Sequence, residues 1–155
     1  MTTIAWDGKT LASDSRSTVG DTIVDDVTFK IVVAGEKDNW TICDMKVKAF
    51  AGAGSGAIPA ELKDYLIAGI KRDTKLRKGF QFSVIAICER GGFELYKSDG
   101  VDYLEIQPLS PKRAMGTGAN FALAAMLSGK DAFEAVEVAI KCDVYSGGSV
   151  DYYTT

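Results

Sequence analysis

The order of the periodic segments constrains the fold of this 155-residue chain more than any other feature. Short strand-like segments fill most of the first third, and an apolar pattern with helical spacing follows within residues 57–79. Further strand patterns, two short helical segments and a final alternating segment complete the chain. Because helices do not alternate singly with strands, the order predicts one domain with two antiparallel sheets and outer helices, not a doubly wound parallel sheet.

The individual segments can be placed from their period and their flanking turn residues. Strands are predicted at Thr2–Asp7, Lys9–Asp14, Phe29–Ala34, Trp40–Cys43, Val47–Ala51, Phe80–Cys88, Phe93–Lys97, Val101–Ile106 and Ser149–Tyr153. The stretch Ser15–Asp21 predicts a polar loop. Region Ala57–Gly79 has room for about one helix, and two more helices are predicted at Ala119–Leu127 and Ala132–Lys141.

Composition excludes several kinds of function. The chain has no histidine, which excludes a Ser-His-Asp triad, a Cys-His pair and any zinc site that needs imidazole. Cys43, Cys88 and Cys142 are too widely spaced for a thiolate metal site or a disulfide framework. The net charge of −3, with scattered basic residues, argues against nucleic acid as a partner. The three cysteines fit reduced, buried thiols in a cytosolic protein, which predicts a cytoplasmic location. No apolar run is long enough for a membrane helix, so we expect no membrane partner.

Two glycine-rich segments, GAGSG (Gly52–Gly56) and GTGANF (Gly116–Phe121), each precede a predicted helix. Free N–H groups at such a junction can bind anions. Neither segment has the glycine spacing of a P-loop or of a dinucleotide-binding turn. Tight turns before helices are therefore the simpler interpretation, with a nucleotide-binding module as a distant alternative.

The second residue is a threonine that leads directly into a predicted strand. If Met1 is removed, Thr2 carries both a hydroxyl nucleophile and an α-amine with a pKa of about 7.7–8.0, which can accept the hydroxyl proton. Such a site needs no histidine, but it needs a cation near the hydroxyl and N–H donors for the oxyanion. Threonine after methionine is common, so this hypothesis depends on the rest of the chain.

The segment TTIAWDGKTLASDSRSTVGD resembles the start of proteasome β-subunits and of HslV, their bacterial relative. Within it, ASDSRSTVG is similar to the family's second strand and turn, which places the family's acidic residue at Asp14. Lys30, in FKIV, lies at the family's spacing for the catalytic lysine. KAFAGAGSG resembles the strand-to-helix junction whose glycine N–H serves the oxyanion, and that glycine is Gly52.

Two later segments continue the resemblance in the same order. AMGTGANFALAA is similar to the family's G-S-G segment, with Thr117 in place of the serine. DVYSGGSVD matches the proteasome pattern D-x-x-S-G-G, which gives Asp143, Ser146 and Gly147; HslV itself departs from this pattern. Taken alone, Lys30 could be a structural partner of Asp14, and Asp143 with Ser146 could form a side-chain-stabilised turn.

The resemblance implies the four-layer αββα sandwich of N-terminal nucleophile hydrolases and a threonine-type endopeptidase that acts through an acyl-enzyme ester. It implies that Thr2 is the nucleophile and that its amine is the base. The charge of Lys30 would lower the pKa of the Thr2 hydroxyl or amine, and Asp14 would hold Lys30 in place. The remaining implied site residues are the oxyanion donor Gly52 and the group around the amine, namely Thr117, Asp143, Ser146 and Gly147.

The resemblance also implies partners. Members of this family work as rings on unfolded polypeptide, which predicts a homo-oligomer, a peptide substrate and an AAA+ unfoldase as a possible partner. The family has two long helices after the glycine-rich junction and a closing helix. The chain has room for about one helix in 57–79, so we expect a shortened first helical layer and weak or no stimulation by an unfoldase. The alternative is a catalytically silent ring subunit or a binding module.

Two further expectations concern the last two helices. In the family, backbone carbonyls at the spacing of Ile140, Asp143 and Ser146 bind sodium or magnesium, which predicts a structural ion but no required cofactor. The two helices carry more apolar residues than one sheet face needs, which favours contact with a neighbouring copy. Packing wholly on their own sheet is the alternative. These residues are Phe121, Leu123, Met126, Leu127, Phe133, Val136, Val138 and Ile140.

Overall fold

A computed structural model describes residues 1–56 and 58–155 of the chain. It contains two compact units, the first formed by Met1–Ile31 with Ser110–Thr155 and the second by Val32–Leu109. The strands are β1 (Thr3–Trp6), β2 (Thr10–Asp14), β3 (Ser17–Val19), β4 (Thr22–Asp25), β5 (Ile31–Val33), β6 (Thr41–Ile42), β7 (Met45–Gly54), β8 (Phe82–Cys88), β9 (Gly92–Lys97), β10 (Glu105–Pro108), β11 (Arg113–Gly116) and β12 (Val150–Thr154). The helices are α1 (Ile58–Ala68), α2 (Ala119–Leu127) and α3 (Ala132–Cys142).

The first unit has a four-stranded antiparallel sheet in the order β11-β1-β2-β12. Strands β1 and β2 meet at a tight turn, where Gly8 takes a φ of +97° that favours glycine. Asp7 accepts the N–H groups of Lys9 and Thr10 at 2.9 and 2.8 Å. The other oxygen of Asp7 accepts the N–H of Ala132 at 2.8 Å, which fixes the start of α3 to this turn.

Helices α2 and α3 pack on one face of this sheet through small side chains. Of the ten buried residues described in this core, eight are alanines, and the other two are Met126 and Val136. Helix α3 begins with a capping box, in which the Asp131 carboxylate accepts the Glu134 N–H and the Glu134 carboxylate accepts the Asp131 N–H. The predicted bounds of both helices agree with the structure to within one residue.

The apolar side chains of α2 and α3 are mostly used within their own unit. Met126 and Val136 are fully buried, and Leu123, Val138 and Ile140 pack against the same core. Phe133 makes an edge-to-face contact with Tyr152. Phe121 and Leu127 remain 41% and 70% exposed, so these two are available to a neighbouring copy.

Three strands of the first unit were not expected from the sequence. The predicted polar loop at Ser15–Asp21 is wrong, because β3 pairs with β4 as a separate two-stranded sheet. Gly20 makes the reversal possible with a φ of +57°. The hairpin lacks the alternation of buried and exposed residues that predicts a strand, because Val19, Ile23 and Val24 are all exposed. Strand β11 is short and follows two prolines, and its pairing with β1 assigns it to the sheet.

The second unit has a six-stranded sheet in which the order is β10-β9-β8-β7-β5, with β6 also paired to β7. Helix α1 covers a core of large side chains that includes Trp40, Phe50 and Phe80. Gly69, at a φ of +87°, follows the end of α1. Within the described residues 58–79, α1 is the one α-helix, as the sequence predicts; Ala57, the first residue of the predicted region, lies outside the described residues.

The largest differences between predicted and observed strand bounds in the second unit occur at β7 and β10. Strand β7 does not end at Ala51, because its ladder with β8 continues to the pair Gly54 and Phe82. The strand predicted at Val101–Ile106 begins only at Glu105. Residues before it pair elsewhere: the Leu76 N–H donates to the Asp102 carbonyl, and Tyr103 forms a bridge with Lys75.

Among the described residues, no helix is both long and apolar enough to cross a membrane. The sheets and helices agree with the predicted mixed class of antiparallel sheets and helices. The four-layer arrangement and the single domain over 1–155 stay predictions.

Candidate functional site

Thr2 lies buried immediately before β1, with only 3% of its surface exposed. Its hydroxyl donates to Asp14 Oδ1 at 2.7 Å and accepts from Lys30 Nζ at 2.5 Å. The three predicted residues at the start of the chain therefore meet at one hydroxyl. A lysine ammonium beside a hydroxyl favours loss of the hydroxyl proton, because the positive charge stabilises the alkoxide.

The carboxylate of Asp14, at the end of β2, is fully buried. A buried carboxylate is costly unless its oxygens are paired. Five donors converge on it, three on Oδ1 and two on Oδ2. They are the Thr2 hydroxyl, the Thr3 N–H, Lys30 Nζ, the Gly147 N–H and the Arg16 N–H. The carboxylate thus fixes both the Thr2 hydroxyl and the Lys30 ammonium to β1 and β2.

Lys30 follows the β3–β4 hairpin and pairs with Asp14 Oδ1 at 2.7 Å. Burial lowers the pKa of the Lys30 ammonium, and the charge and hydrogen bond of Asp14 offset only part of this effect. Lys30 Nζ also donates to the Met1 carbonyl at 3.4 Å. The peptide group that joins Met1 to Thr2 therefore lies at the lysine.

A second polar cluster lies on the other side of β1, at the end of α3. Asp143 Oδ2 accepts the hydroxyls of Ser146 at 2.6 Å and Thr117 at 2.7 Å. The Thr3 and Ser146 hydroxyls are 2.7 Å apart; because Ser146 donates to Asp143, Thr3 is the donor in this bond. Thr117 Oγ1 also lies 3.3 Å from the Thr2 carbonyl oxygen. The cluster thereby holds the backbone on both sides of Thr2.

The charge of Asp143 suits a role beside an amine. Burial raises the pKa of this carboxyl, but hydrogen bonds from Ser146, Thr117 and the Tyr145 N–H, with the positive chain terminus, lower it below its usual range. Asp143 is therefore ionised at neutral pH. An ionised carboxylate stabilises a protonated amine near it.

The glycines of the GTG segment permit close approach to Thr2 and to β1. A Cβ on Gly116, which has a φ of +92°, would lie 2.0 Å from the Thr2 carbonyl oxygen. A Cβ on Gly118 would lie 1.9 Å from Thr3 Oγ1. These glycines are explained by packing against β1, which supports the interpretation as a tight turn.

Gly52 lies near the end of β7, close to the start of α1. It lies within β7 of the second unit, and a Cβ there would come within 2.9 Å of Ile58 and 3.0 Å of Val84. Close packing of α1 and β8 is sufficient to explain the glycine at this position. Its role as an oxyanion donor stays a prediction.

Two site residues were missed from the sequence. The sequence predicts Thr3 only as a strand residue, but its hydroxyl donates to Ser146 and its N–H donates to Asp14. Arg16 donates its N–H to Asp14 and pairs with Asp26 through its guanidinium. The alternation along β1 was the available signal for Thr3, since Thr2 and Thr3 point to opposite faces of the sheet.

The predicted cation ligands can be compared with their hydrogen bonds. The Asp143 carbonyl accepts the Ser146 N–H at 3.2 Å, so one of the three carbonyls already takes part in the turn after α3. The described residues contain no group of three or more acidic or cysteine side chains that could hold a metal. The ion at Ile140, Asp143 and Ser146 stays a prediction.

Comparison with known proteins gives no match among protein-family models and none among curated proteins. Solved structures do match. Thiobacillus denitrificans BPH, a proteasome-like β-subunit homologue, superposes with a TM-score of 0.68 at 19% identity over 99% of this chain and 96% of that chain. BPH in complex with epoxomicin gives a TM-score of 0.66 at 18% identity, with coverages of 99% and 97%.

Eukaryotic HslV from Trypanosoma brucei matches with a TM-score of 0.59 at 18% identity, over 98% of this chain and 97% of that chain. The predicted resemblance to proteasome β-subunits and HslV is thereby confirmed at the level of fold. This chain has, over nearly its whole length, the fold of BPH and HslV.

Proposed function

We propose that this protein is an N-terminal-threonine peptidase of the proteasome β-subunit and HslV family. The observation that carries the proposal is the convergence of Lys30 and Asp14 on the Thr2 hydroxyl. A lysine whose pKa is lowered by burial, held against a hydroxyl near the chain terminus, is the kind of cation that an N-terminal nucleophile requires. The fold shared with BPH and HslV supports the same proposal.

In the proposed reaction, Met1 is first removed, which frees the Thr2 amine. The Thr2 Oγ attacks a peptide carbonyl while its proton passes to that amine. The tetrahedral intermediate collapses as the amine protonates the leaving nitrogen, which leaves an acyl ester on Thr2. Water then attacks the ester and gives a proton to the amine, which returns it to Oγ as the carboxylic acid departs.

The surrounding residues take distinct parts in this scheme. Lys30 stabilises the developing alkoxide by its charge, and Asp14 holds Lys30 in place. The cluster of Thr117, Asp143 and Ser146 orients the amine once it is free. The Gly52 N–H is the proposed oxyanion donor.

The first test uses epoxomicin, which is the ligand in one of the BPH structures. Purified protein is treated with epoxomicin, and its intact mass is measured before and after. We expect a mass without Met1 and a single covalent adduct on wild-type protein. Thr2→Ala should fold normally and form no adduct, whereas Thr2→Ser should still react.

A wild-type protein that lacks Met1 but forms no adduct and cleaves no peptide would contradict the proposal and support the catalytically silent subunit instead. A Thr2→Ala protein that cleaves peptides at the wild-type rate would show that another residue is the nucleophile.

The second test concerns Lys30. Lys30→Met should keep the fold but lose most of the rate of adduct formation and peptide cleavage, because the charge beside the hydroxyl is gone. Lys97→Met is the matched control: Lys97 is also buried, but its ammonium donates to the Ser98 and Val101 carbonyls of the second unit. Equal rates in wild type and Lys30→Met would leave Lys30 a purely structural role.

The proposal extends to assembly, location and substrate. We propose one four-layer domain that forms a homo-oligomeric ring in the cytoplasm and cleaves unfolded polypeptide, with weak or no stimulation by an AAA+ unfoldase. Exposed Phe121 and Leu127 on α2 support a contact between copies. Light scattering after size exclusion tests this: a monomer at tens of micromolar protein would contradict the ring.

A further inference from the structure

The guanidinium of Arg16 forms a two-point ion pair with Asp26. Arg16 Nε donates to Asp26 Oδ1 at 2.7 Å, and Nη2 donates to Oδ2 at 3.2 Å. Parallel bonds of this kind fix the relative orientation of two groups as well as their distance. The pair is partly exposed, with side-chain exposures of 20% for Arg16 and 43% for Asp26, so it contributes little to overall stability.

The position of this pair in the chain gives it another role. Arg16 lies two residues after Asp14, and Asp26 lies four residues before Lys30. The ion pair therefore closes the chain segment whose two ends supply the catalytic contact between Asp14 and Lys30. Closing this segment beside the contact restricts the positions that Lys30 can take.

The Arg16 guanidinium also contacts the turn that donates an N–H to the Asp14 carboxylate. Its Nη1 lies 3.5 Å from the Val144 carbonyl, and a Cβ on Gly147 would come within 2.3 Å of the guanidinium carbon. Gly147 has no side chain, so its backbone reaches Asp14 and donates its N–H to Oδ2 at 3.0 Å. The guanidinium thus holds the glycine that orients the carboxylate.

The β3–β4 hairpin joins the same turn at two more points. The Tyr145 hydroxyl donates to Asp21 Oδ1 at 2.8 Å, and the Ser15 N–H donates to the Gly147 carbonyl at 3.1 Å. The Thr28 N–H donates to the Ser15 carbonyl at 3.0 Å. The hairpin is a separate two-stranded sheet, and these bonds and the ion pair help to fix it to the residues around Asp14.

We propose that Arg16 is a positioning residue for the reaction at Thr2, because its ion pair with Asp26 holds Lys30 and Gly147 against the Asp14 carboxylate. This inference rests on the proposed peptidase function. It assigns to Arg16 and Asp26 an effect on the rate of the chemical step, not on the binding of the peptide.

The experiment measures the rate of the epoxomicin adduct over a range of epoxomicin concentrations, which separates the maximal rate from the half-saturating concentration. Arg16→Gln and Asp26→Asn should each lower the maximal rate on the order of 10-fold, since small displacements of reacting groups are costly. The half-saturating concentration should stay near the wild-type value. Arg16→Lys, which keeps the charge but not the two-point geometry, should lie in between.

The double variant Arg16→Gln with Asp26→Asn gives the decisive comparison. If the two side chains act as one unit, the double variant loses no more rate than either single variant. Losses that multiply would overturn the inference, because each side chain would then act alone. An Arg16→Gln protein with the wild-type maximal rate, or with a change only in the half-saturating concentration, would also overturn it.

The matched control is Arg77→Gln in the second unit, where Arg77 makes a two-point pair with Glu61 of the same kind. This variant should react at the wild-type rate. If Arg16→Gln fails to fold, Asp26→Asn carries the test, because the guanidinium remains in place. A wild-type protein that forms no adduct overturns the proposed function together with this inference, whereas an active wild type with unaffected variants overturns this inference alone.

Discussion

The two units of the molecule have cores built from side chains of very different size. In the first unit, eight of the ten described core residues are alanines. In the second, alanine occurs once among eighteen, and the core includes Trp40, Phe50, Phe80, Phe82 and Phe93. Helices α2 and α3 therefore pack on the first sheet mainly through alanine side chains, whereas α1 packs in the second unit against large aromatic and aliphatic side chains.

The buried polar groups divide between the units in the opposite way. The first unit buries seven polar or charged residues, which are Thr2, Thr3, Ser13, Asp14, Ser15, Asp143 and Ser146, while the second buries only Glu94 and Lys97 among the described residues. Short hydroxyls and carboxylates reach one another only where backbones approach closely, and small core residues permit that approach. The comparison suggests that the first unit buries less apolar surface and in return holds a cluster of buried polar groups, which the described residues of the second unit do not form.

The largest expected effect is in the second core. Phe50 is fully buried and contacts Trp40 with ring centroids 5.8 Å apart. Phe50→Ala should lower the free energy of unfolding by about 3–5 kcal/mol, because it leaves a cavity that large neighbours cannot fill. Urea denaturation followed by fluorescence in a Trp6→Phe background, where Trp40 alone reports, measures the change.

Phe29→Ala is the control for this prediction, since Phe29 is 79% exposed and its loss should change stability little. Equal losses for Phe29 and Phe50 would contradict the contrast between the cores.

A smaller effect is expected in the polar cluster of the first unit. Ser146→Ala removes a hydrogen bond to the Asp143 carboxylate and leaves the Thr3 hydroxyl without its acceptor, which should cost about 1.5–3 kcal/mol at neutral pH. Because the pKa of Asp143 is lowered in the folded state, its contribution is complete above the usual value of about 3.9 and is lost as the pH falls. The difference between wild type and variant should therefore shrink in acid.

Urea denaturation of both proteins at neutral pH and near pH 3.5 measures this difference. Ser128→Ala removes a hydroxyl that donates only to the Ala124 carbonyl, so its effect should not change with pH. A Ser146→Ala difference that stays constant down to acid pH would show that Asp143 does not depend on this hydroxyl.

The smallest effect is expected from enlarging one alanine. Ala139 is fully buried in α3, and its Cβ lies 3.2 Å from the place where a Gly118 Cβ would be. Ala139→Val should cost about 1–3 kcal/mol by overpacking and should slow adduct formation at Thr2, because α3 is pushed from the GTG turn. Glu137→Val places the same β-branched side chain on the exposed face of α3 without the clash, at a smaller helix-propensity cost than the change from alanine.

If Ala139→Val and Glu137→Val reduce stability and adduct formation equally, close packing of the first core is not what positions the site. Thermal denaturation and the epoxomicin reaction of the two variants provide the comparison.

The sequence predicts most regular elements well where a buried pattern is complete. Helices α2 and α3 and strands β1, β2, β8 and β9 carry apolar residues at the expected period, and their positions agree closely with the structure. The β3–β4 hairpin could not be found this way, because its apolar side chains face solvent. Strand β10 begins later than predicted, because Asp102 and Tyr103 pair with Leu76 and Lys75 instead. No local sequence pattern reveals such pairing between distant residues.

The candidate site was predictable where a residue belongs to a quoted motif. Thr2, Asp14, Lys30, Thr117, Asp143 and Ser146 were singled out in this way, and the structure brings them together within the first unit. Arg16 lies in the same motif as Asp14, but the sequence does not predict it as a site residue. Its partner Asp26 lies in a segment without a recognisable pattern. Gly52 shows that a residue in a quoted motif need not have a role in the site, because packing against Ile58 and Val84 also explains a glycine there.

The first unit is formed by both ends of the chain, and this has a consequence for its biosynthesis. The N-terminus leaves the ribosome first, but Asp143 and Ser146 emerge only after all of the second unit, residues 32–109, has been made. Asp7 must also wait for Ala132 before the turn and α3 can join. A nascent chain therefore carries Thr2, Asp14 and Lys30 before the cluster of Thr117, Asp143 and Ser146 exists, so the contacts that hold the backbone around Thr2 form late in synthesis.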